Sequence, residues 1–388
     1  MSGESKYEKT GVDVEKNAVE IFKSTIGSLY PTAFCVIKQD PDFPDYVLVA
    51  HADGAGSKPV QHYLNFKESN DVNCFKGIAQ DVVAMNLDDI ICVGAKPVSF
   101  VDYVSINMLT VPKGEFLKIL NDDIAELIHL MESVGVNLPF DGGETADHPD
   151  QLHTLDVSGF MQGRARMRDL ITGERIRSGN VIVGLRSGGR ARYEQHENSG
   201  IMCNGITLAR HCLMSSMYAE KYPEIGGREK GGGYYGRLKV DDFLDELGMT
   251  VGEAITSPTR IFSPVIYKVL EATASSVTGL VHNTQGGLTK SLKLGENLVY
   301  VKDNLLEIDP IFHLIQEESG ESWREMFRDF NMGCGFEVIA EESAAEEIIK
   351  ISENLGIQAQ VIGRTEERSQ PNKVLIDSDL GKFEYERS

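Results

Sequence analysis

The sequence predicts an α/β protein of two domains, on three observations. Its 388 residues exceed what one hydrophobic core ordinarily covers, since single domains run ~100–200 residues. Strand-like runs of β-branched and aromatic residues alternate with helical periodicities along the chain. Glycine-rich turns separate strand from helix in both halves, in similar order but without a fixed-period repeat. The boundary is expected near residue 170, giving domains 1–170 and 171–388.

In chain order, residues 11–28 carry a helical pattern in Val14, Ala18, Ile21 and Phe22, with Asp13 as cap and Gly27 near the end. The runs "FCVIK", "YVLVA" and "PVQHYLN", each bounded by Pro, Asp or Gly, read as strands. "GIAQDVVAMNLDDIICVGA" reads as a helix starting near Gly77, with Asp81 and Asp88 one heptad apart on a shared face. "KPVSFVDYVSINML" alternates as a strand, and "KGEFLKILNDDIAELIHLMESVG" is a strongly periodic helix closed by Gly135. "VNLPFDGGETADHPDQLHTLDVSGFMQGRARM" is expected to form strand, glycine turn, acidic loop and strand. Beyond it, "NVIVGLRSGG" is a strand entering a glycine turn, and "NGITLARHCLMSSMYAEKY" is a helix. "EIGGREKGGGYYG" is a glycine-dense loop or flap, and "SPTRIFSPVIYKVLEAT" a capped helix with its prolines early. "VTGLVHNTQGGLTKSL" runs from strand through a glycine-rich turn into a helix start. "GCGFEVIA", "AQVIGRTEE" and "NKVLID" close the chain as strands.

Composition narrows the function. A formal charge of −21 repels a polyphosphate backbone, so nucleic acid is not the expected partner. A small phosphorylated ligand remains compatible, because a divalent cation can screen it in a locally neutralised pocket. No apolar run approaches the ~18–20 residues of a membrane span, and "MSGESKYEKTG" lacks the charged-then-apolar pattern of a signal peptide. A soluble, cytoplasmic protein is expected. The six cysteines are scattered without CxxC spacing and read as reduced, buried small hydrophobes.

Three glycine-and-carboxylate stretches carry the candidate chemistry. In "ADGAGSK", Gly54 and Gly56 let backbone N–H groups approach an anion, and Ser57 and Lys58 follow. The Walker order GxxxxGK[ST] is absent. Asp53 adds negative charge, which suits a Mg²⁺ held between carboxylate and phosphate; a tight turn whose Asp caps backbone N–H groups explains the same residues. Asp81, Asp88 and Asp89 lie in an otherwise apolar helix with little room for a wet face, so they demand partners, a divalent cation being one. "FDGGETADHPD" repeats the theme with Gly142, Gly143, Glu144, Asp147 and Asp150, as a plain acidic turn or as one loop of an assembled site. In the second half, "SGG" at 187–189, "CNGITLAR" and "NTQGGLTKSL" each place glycine before a helix, as ordinary loops or as phosphate seats. His51, His196 and His282 lie near glycine turns, either as structural hydrogen-bonders or as bases.

These stretches together resemble the aminoimidazole ribonucleotide synthetases, or phosphoribosylformylglycinamidine cyclo-ligases, of a wider ATP-dependent superfamily. "DGAGSK" resembles the family's DGxG(T/S)K signature, and Asp89, Gly94, Ala95 and Pro97 match an Asp-x4-Gly-Ala-x-Pro element. "GGETAD" with "LDVSGF", then "NGITLAR", "GEAITSPTRIF", "HNTQGGL" and "FNMGCGFEVI", follow in the family's order. The resemblance implies two α/β domains, with the first domains of two subunits joined in a barrel-like homodimer core. It implies that ATP activates the formyl oxygen of formylglycinamidine ribonucleotide as an iminophosphate. An amidine nitrogen then closes the ring, releasing ADP, phosphate and aminoimidazole ribonucleotide. It implies Mg²⁺ on Asp53, Asp81 and Asp89, with Gly54, Gly56, Ser57 and Lys58 beside the ATP phosphates and Glu144 near metal or substrate. Substrate contacts would fall on Gly142, Gly143, Asn204, Gly205, Thr259, Arg260, Gly286 and Gly287, and His196 would act in catalysis.

Four departures stand out. Residues 24–40 lack the family's glycine- and phenylalanine-rich stretch. "SGGRARYEQHENSGIMCNG" contains an insertion at 190–202, with Met202 in line with the usual histidine and His196 inside the insertion. Gln285 replaces a glycine, and the glycine-dense segment 226–236 is long. Another ATP-using enzyme of the superfamily, or a silent nucleotide-binding paralogue, stays open as an alternative; the retained carboxylates argue against the silent one.

Overall fold

Two sheets, each covered by helices, organise the computed structural model, which describes residues 5–13, 21–22, 24–226 and 233–386. The elements of the first are α1 (Lys6–Lys9), β1 (Ile37–Gln39), β2 (Tyr46–Gly54), α2 (Lys58–Ser69), α3 (Ile78–Ile91), β3 (Lys96–Ile106), α4 (Lys113–Ser133), β4 (Phe140–Asp147) and β5 (Leu155–Arg166). Its strand order is β1-β2-β5-β3-β4, antiparallel except for β3 with β4.

The second half begins with β6 (Val181–Arg186), α5 (Ile206–Leu213), α6 (Met217–Lys221) and a separate small hairpin of β7 (Phe243–Leu244) and β8 (Met249–Thr250). There follow α7 (Val251–Thr256), α8 (Ser263–Thr273), β9 (Val277–His282), β10 (Leu298–Lys302), α9 (Pro310–Ser319), α10 (Trp323–Asp329), β11 (Cys334–Ala340), α11 (Ala345–Asn354), β12 (Ala359–Glu367), β13 (Lys373–Ser378) and β14 (Gly381–Glu386). The second sheet has the order β14-β13-β10-β12-β6-β11-β9, with only β10 and β13 parallel. The mixed α/β class is as read from the sequence, although most strand pairs are antiparallel.

The sequence and the structure part company at a few elements. "PVQHYLN" is helical: Pro59 sits in the first turn of α2, where its missing N–H costs nothing, and Gln61, His62, Tyr63 and Leu64 are all buried. "GGETAD" belongs to β4 rather than to a turn, and Gly143 lies so close to Asp102 on β3 that a Cβ there would meet its Oδ1 at 1.8 Å. The expected helix 204–222 breaks into α5 and α6, and 257–262 lies outside any helix or strand before α8. Of the expected helix 11–28, Val14 and Ala18 lie outside the described residues, and the described residues 24–28 are not α-helical. Residues 227–232 of the glycine-dense segment also lie outside the described set.

Helix α3 positions the site. It packs against β2 and β5 on one side and α4 and α8 on others, and apart from Gln80 its residues are buried. No wet face remains, so its acids must be satisfied inside. Asp88 accepts hydrogen bonds from Phe262 N–H (2.7 Å), Ser263 N–H (2.9 Å) and Ser263 Oγ (2.5 Å), which caps the start of α8. Burial nevertheless pushes its carboxyl up to about 6. Asp81 Oδ1 accepts from Thr259 N–H and Oγ1, both at 2.7 Å. The acid face of α3 therefore grips "SPTRIFS", fixing one sheet's layer against the other.

Candidate active site

A cavity of about 680 Å³ opens between the two sheets' layers, and its wall begins at the end of β2. His51, Asp53, Gly54, Gly56 and Ser57 line it from the first layer, with Asp89 from α3. Asn204, Thr207, Thr284, Gly286, Lys290 and Arg328 face it from the second. The β2-to-α2 turn places its glycines on the cavity because Gly56 takes φ +59°, a left-handed conformation natural to glycine. Ser57 Oγ and Thr207 Oγ1 join the two walls at 2.9 Å.

Asp89 is the most heavily engaged carboxylate of the wall. His282 Nδ1 lies 2.7 Å from Oδ1 and His51 Nε2 lies 3.1 Å from Oδ2, with Lys290 Nζ at 3.9 Å. Burial alone would raise its carboxyl, but the charge of Lys290 and the bonds from the two histidines hold it well below the usual carboxylate range. Asp89 is thus an anion and a weak base.

His51 is protonated by geometry. Asn86 Nδ2 donates to Asp53 O (3.0 Å) and Val82 O (2.9 Å), and Asn86 Oδ1 accepts from Asp53 N–H (3.1 Å). Asn86 Oδ1 is therefore an acceptor toward His51 Nδ1 at 3.3 Å, while Nε2 faces the Asp89 carboxylate. Both ring nitrogens must donate, which makes an imidazolium. Burial opposes this charge, and the bond and charge of Asp89 outweigh burial, raising the pKa above the ordinary value.

Lys58 and Asp81 do not reach the cavity. Both side chains are fully buried, with Nζ 2.8 Å from Asp81 Oδ1 and 2.6 Å from Ser257 O. Asp81 Oδ1 also holds Thr259, and Oδ2 is sealed in the interior without a hydrogen-bond partner. The pair is an interior lock between α2, α3 and the 257–259 segment. The signature lysine is turned inward because the helix beginning at residue 58 buries its first turn. The expected metal trio Asp53, Asp81 and Asp89 is accordingly not gathered, and among the described residues no three His, Cys, Asp or Glu side chains form a metal cluster.

Other expected residues serve packing. Thr259 is spent on Asp81, and Arg260 is buried against Glu194, with Nη2 2.6 Å from Oε2 and Nε 2.8 Å from Oε1. Arg260 also donates to the carbonyls of Arg186, Gly188 and Gly189 at 2.8–3.0 Å. This explains the insertion: Glu194 in it forms the anchor, while His196 is exposed and Met202 is buried against Gly335. Gly205 and Gly287 take positive φ, and a Cβ on either would strike Phe330, at 2.0 Å from its ring and 2.2 Å from its carbonyl. Glu144, Gly142 and Gly143 sit on β4 at the open edge of the first sheet, away from the cavity lining.

Cavity groups that the motifs do not single out are Lys290, Lys293, Arg328 and Thr207; His51 and His282 are noted only as histidines beside glycine turns. A signal existed for Lys290, a cation three residues after a glycine pair. Against an overall charge of −21, the wall balances Asp53, Asp89 and Glu386 with Lys290, Lys293 and the His51 imidazolium, while Arg328 is already paired with Glu325 and Asp329. Locally, then, the cavity can accept an anion.

Comparison with known proteins agrees with this architecture. The family described as AIR synthase related protein matches through its N-terminal domain at residues 35–165 and its C-terminal domain at 177–375. A phosphoribosylformylglycinamidine cyclo-ligase of Methanocaldococcus jannaschii is 35% identical over 324 residues, covering 83% of this chain and 79% of the relative. One of Alkaliphilus metalliredigens is 31% identical over 375 residues, covering 92% and 94%. Among solved structures, T. maritima PurL complexed with FGAR aligns with TM-score 0.52 and 18% identity, over 97% of this chain and 53% of that one. AaThiL complexed with AMPPCP and TMP aligns with TM-score 0.55 and 10% identity, over 95% and 96%. At those identities the structures speak for the fold alone.

Proposed function

The chain belongs to the phosphoribosylformylglycinamidine cyclo-ligases of the AIR synthase related family, and on that premise we propose that it cyclises formylglycinamidine ribonucleotide to 5-aminoimidazole ribonucleotide at the cavity between its sheets, using ATP. The observation that carries the assignment to this cavity is the Asp89 clamp, where the motif aspartate of α3 meets His51 of the signature strand and His282 of "HNTQGGL". In the reaction the formyl oxygen attacks the γ-phosphorus, ADP departs and the formamide N–H proton is lost, giving an iminophosphate at the formyl carbon. The amidine nitrogen then attacks the same carbon, its proton is lost, and phosphate leaves with the former formyl oxygen.

The protein's share is positioning and charge. Asp89 keeps His51 charged and fixed, so the wall carries a cation where phosphate charge must be neutralised. Gly54, Gly56 and Ser57 offer a close backbone approach. Asp53 faces the cavity with Oδ1 accepting Gly54 N–H at 2.8 Å. Its carboxylate fits a Mg²⁺ ion, which takes one or two carboxylates besides phosphate oxygens, whereas the sealed Asp81 does not. When bound, Mg²⁺ would screen the triphosphate charge.

The reading extends to a homodimer built on domain 1–170. Tyr103 and Phe160 are 43% and 41% exposed and project with Val101 from the face of the first sheet opposite α3. Such an apolar face is expected to be covered by a second copy. No helix among the described residues is long and apolar enough to cross a membrane. The test is purified protein with ATP, Mg²⁺ and formylglycinamidine ribonucleotide, scoring ADP together with the aminoimidazole. ADP release without ring product contradicts the proposal.

A further inference from the structure

Lys290 lines the cavity that the buried signature lysine, Lys58, does not reach. It lies on the 3₁₀ segment Gly287–Lys293, and its side chain is 13% exposed. Its ammonium bonds Thr284 Oγ1 and stands over the Phe34 ring, 4.6 Å from the centroid. An ammonium has three donors, and Thr284 engages one. Asp89 attracts it through charge at 3.9 Å, beyond hydrogen-bond reach, while the two Asp89 oxygens take their bonds from His282 at 2.7 Å and His51 at 3.1 Å, so the remaining ammonium donors are not aimed at that carboxylate.

The segment beneath Lys290 is built to stay in place. Lys302 on β10 is fully buried and donates to Leu288 O at 2.6 Å while pairing with Glu337 of β11 at 2.5 Å. Asn283, just after β9, donates to the same Glu337 oxygen at 2.9 Å. Thr289 Oγ1 closes on Gly286 O at 2.7 Å. A charge pair inside the second sheet thus sets the turn that carries Lys290 to the cavity wall, where the Phe34 ring faces its ammonium.

We propose that Lys290, rather than Lys58, is the cation that binds a ligand phosphate in this cavity. The inference rests on the cyclo-ligase reading for which ligands enter, but its binding test does not need turnover. The shared chemistry is a phosphate monoester or polyphosphate oxygen, supplied either by the nucleotide or by the ribonucleotide substrate. A lysine point charge suits either.

The experiment titrates the full-length protein and its Lys290→Met and Lys290→Arg variants with two probes by calorimetry: inorganic tripolyphosphate for the nucleotide arm and ribose 5-phosphate for the substrate arm. Loss of one charge-assisted hydrogen bond predicts ~10–100-fold weaker binding of one probe to Lys290→Met. Lys290→Arg should recover part of that loss, and the other probe should lose much less, which a lysine that only holds the cavity wall in shape would not produce. The weakened arm identifies the phosphate. Both probes binding Lys290→Met within twofold of wild type, or neither binding the wild type, overturns the proposal. Failure of the wild type to cyclise formylglycinamidine ribonucleotide, with the probe difference intact, would instead overturn the assigned reaction.

Discussion

Lys58→Met takes away the ammonium that sits 2.8 Å from Asp81 Oδ1. What remains is a carboxylate with no exposed surface, held by Thr259 on one oxygen and by nothing on the other. Ser257 O also loses its 2.6 Å donor. Breaking a buried pair from one side costs ~3–5 kcal/mol, because the abandoned charge stays in a low-dielectric interior. Removing both charges with Lys58→Met and Asp81→Leu should restore part of that loss, the remainder reflecting the two Thr259 bonds. Urea unfolding of the wild type, both single variants and the double variant gives the coupling directly. The reasoning is refuted if Lys58→Met keeps wild-type stability yet loses nucleotide affinity, for then the lysine serves the ligand and not the interior.

Three further outcomes follow from the same geometry. His62 is buried, which lowers its pKa from 6.5 to about 4 even as Nδ1 bonds Cys74 O. The unfolded imidazole takes up its proton first, so this contribution is intact above pH 6.5 and fades as pH falls toward 4; between pH 7 and 5 it removes about 2 kcal/mol, an acid sensitivity that urea titrations of His62→Asn should lack. Arg260→Met leaves Glu194 and the carbonyls of Arg186, Gly188 and Gly189 without their donor, predicting ~3–5 kcal/mol of destabilisation and faster proteolytic cleavage within 187–198; unchanged cleavage would contradict the anchor. Tyr103→Glu with Phe160→Glu should convert a dimer to a monomer in analytical ultracentrifugation, and an unshifted sedimentation coefficient would place the interface elsewhere.

Much of the fold is legible because periodicity and local turn chemistry determine it. The burial of α3 follows from acids embedded among Val, Ile, Leu and Met, and β6, β11, β12 and β13 follow from compact apolar runs. "PVQHYLN" misleads since its alternation fits a strand, whereas the residues that decide for helix are the partners it buries against, α7 and the 3₁₀ turn at 72–75. The same limit governs the site. That Asp81 and Asp88 need partners is readable; that the partners are Lys58, Thr259, Phe262 and Ser263 is not, because a carboxylate can ligate a metal or accept hydrogen bonds from N–H groups alike. His51 and His282 gain meaning only when folding brings both to Asp89. Gly205 and Gly287 look like phosphate seats in sequence, and the neighbour that demands glycine at both, Phe330, lies far along the chain.

The central claim, that ATP activates the formyl oxygen and an amidine nitrogen then displaces it, is tested most directly by isotope transfer. Formylglycinamidine ribonucleotide labelled with ¹⁸O at the formyl group is turned over with unlabelled ATP and Mg²⁺, and the released phosphate is analysed by mass spectrometry. The account predicts one ¹⁸O in the phosphate for each aminoimidazole formed. Aminoimidazole formed with unlabelled phosphate, the label having passed to water, would contradict it.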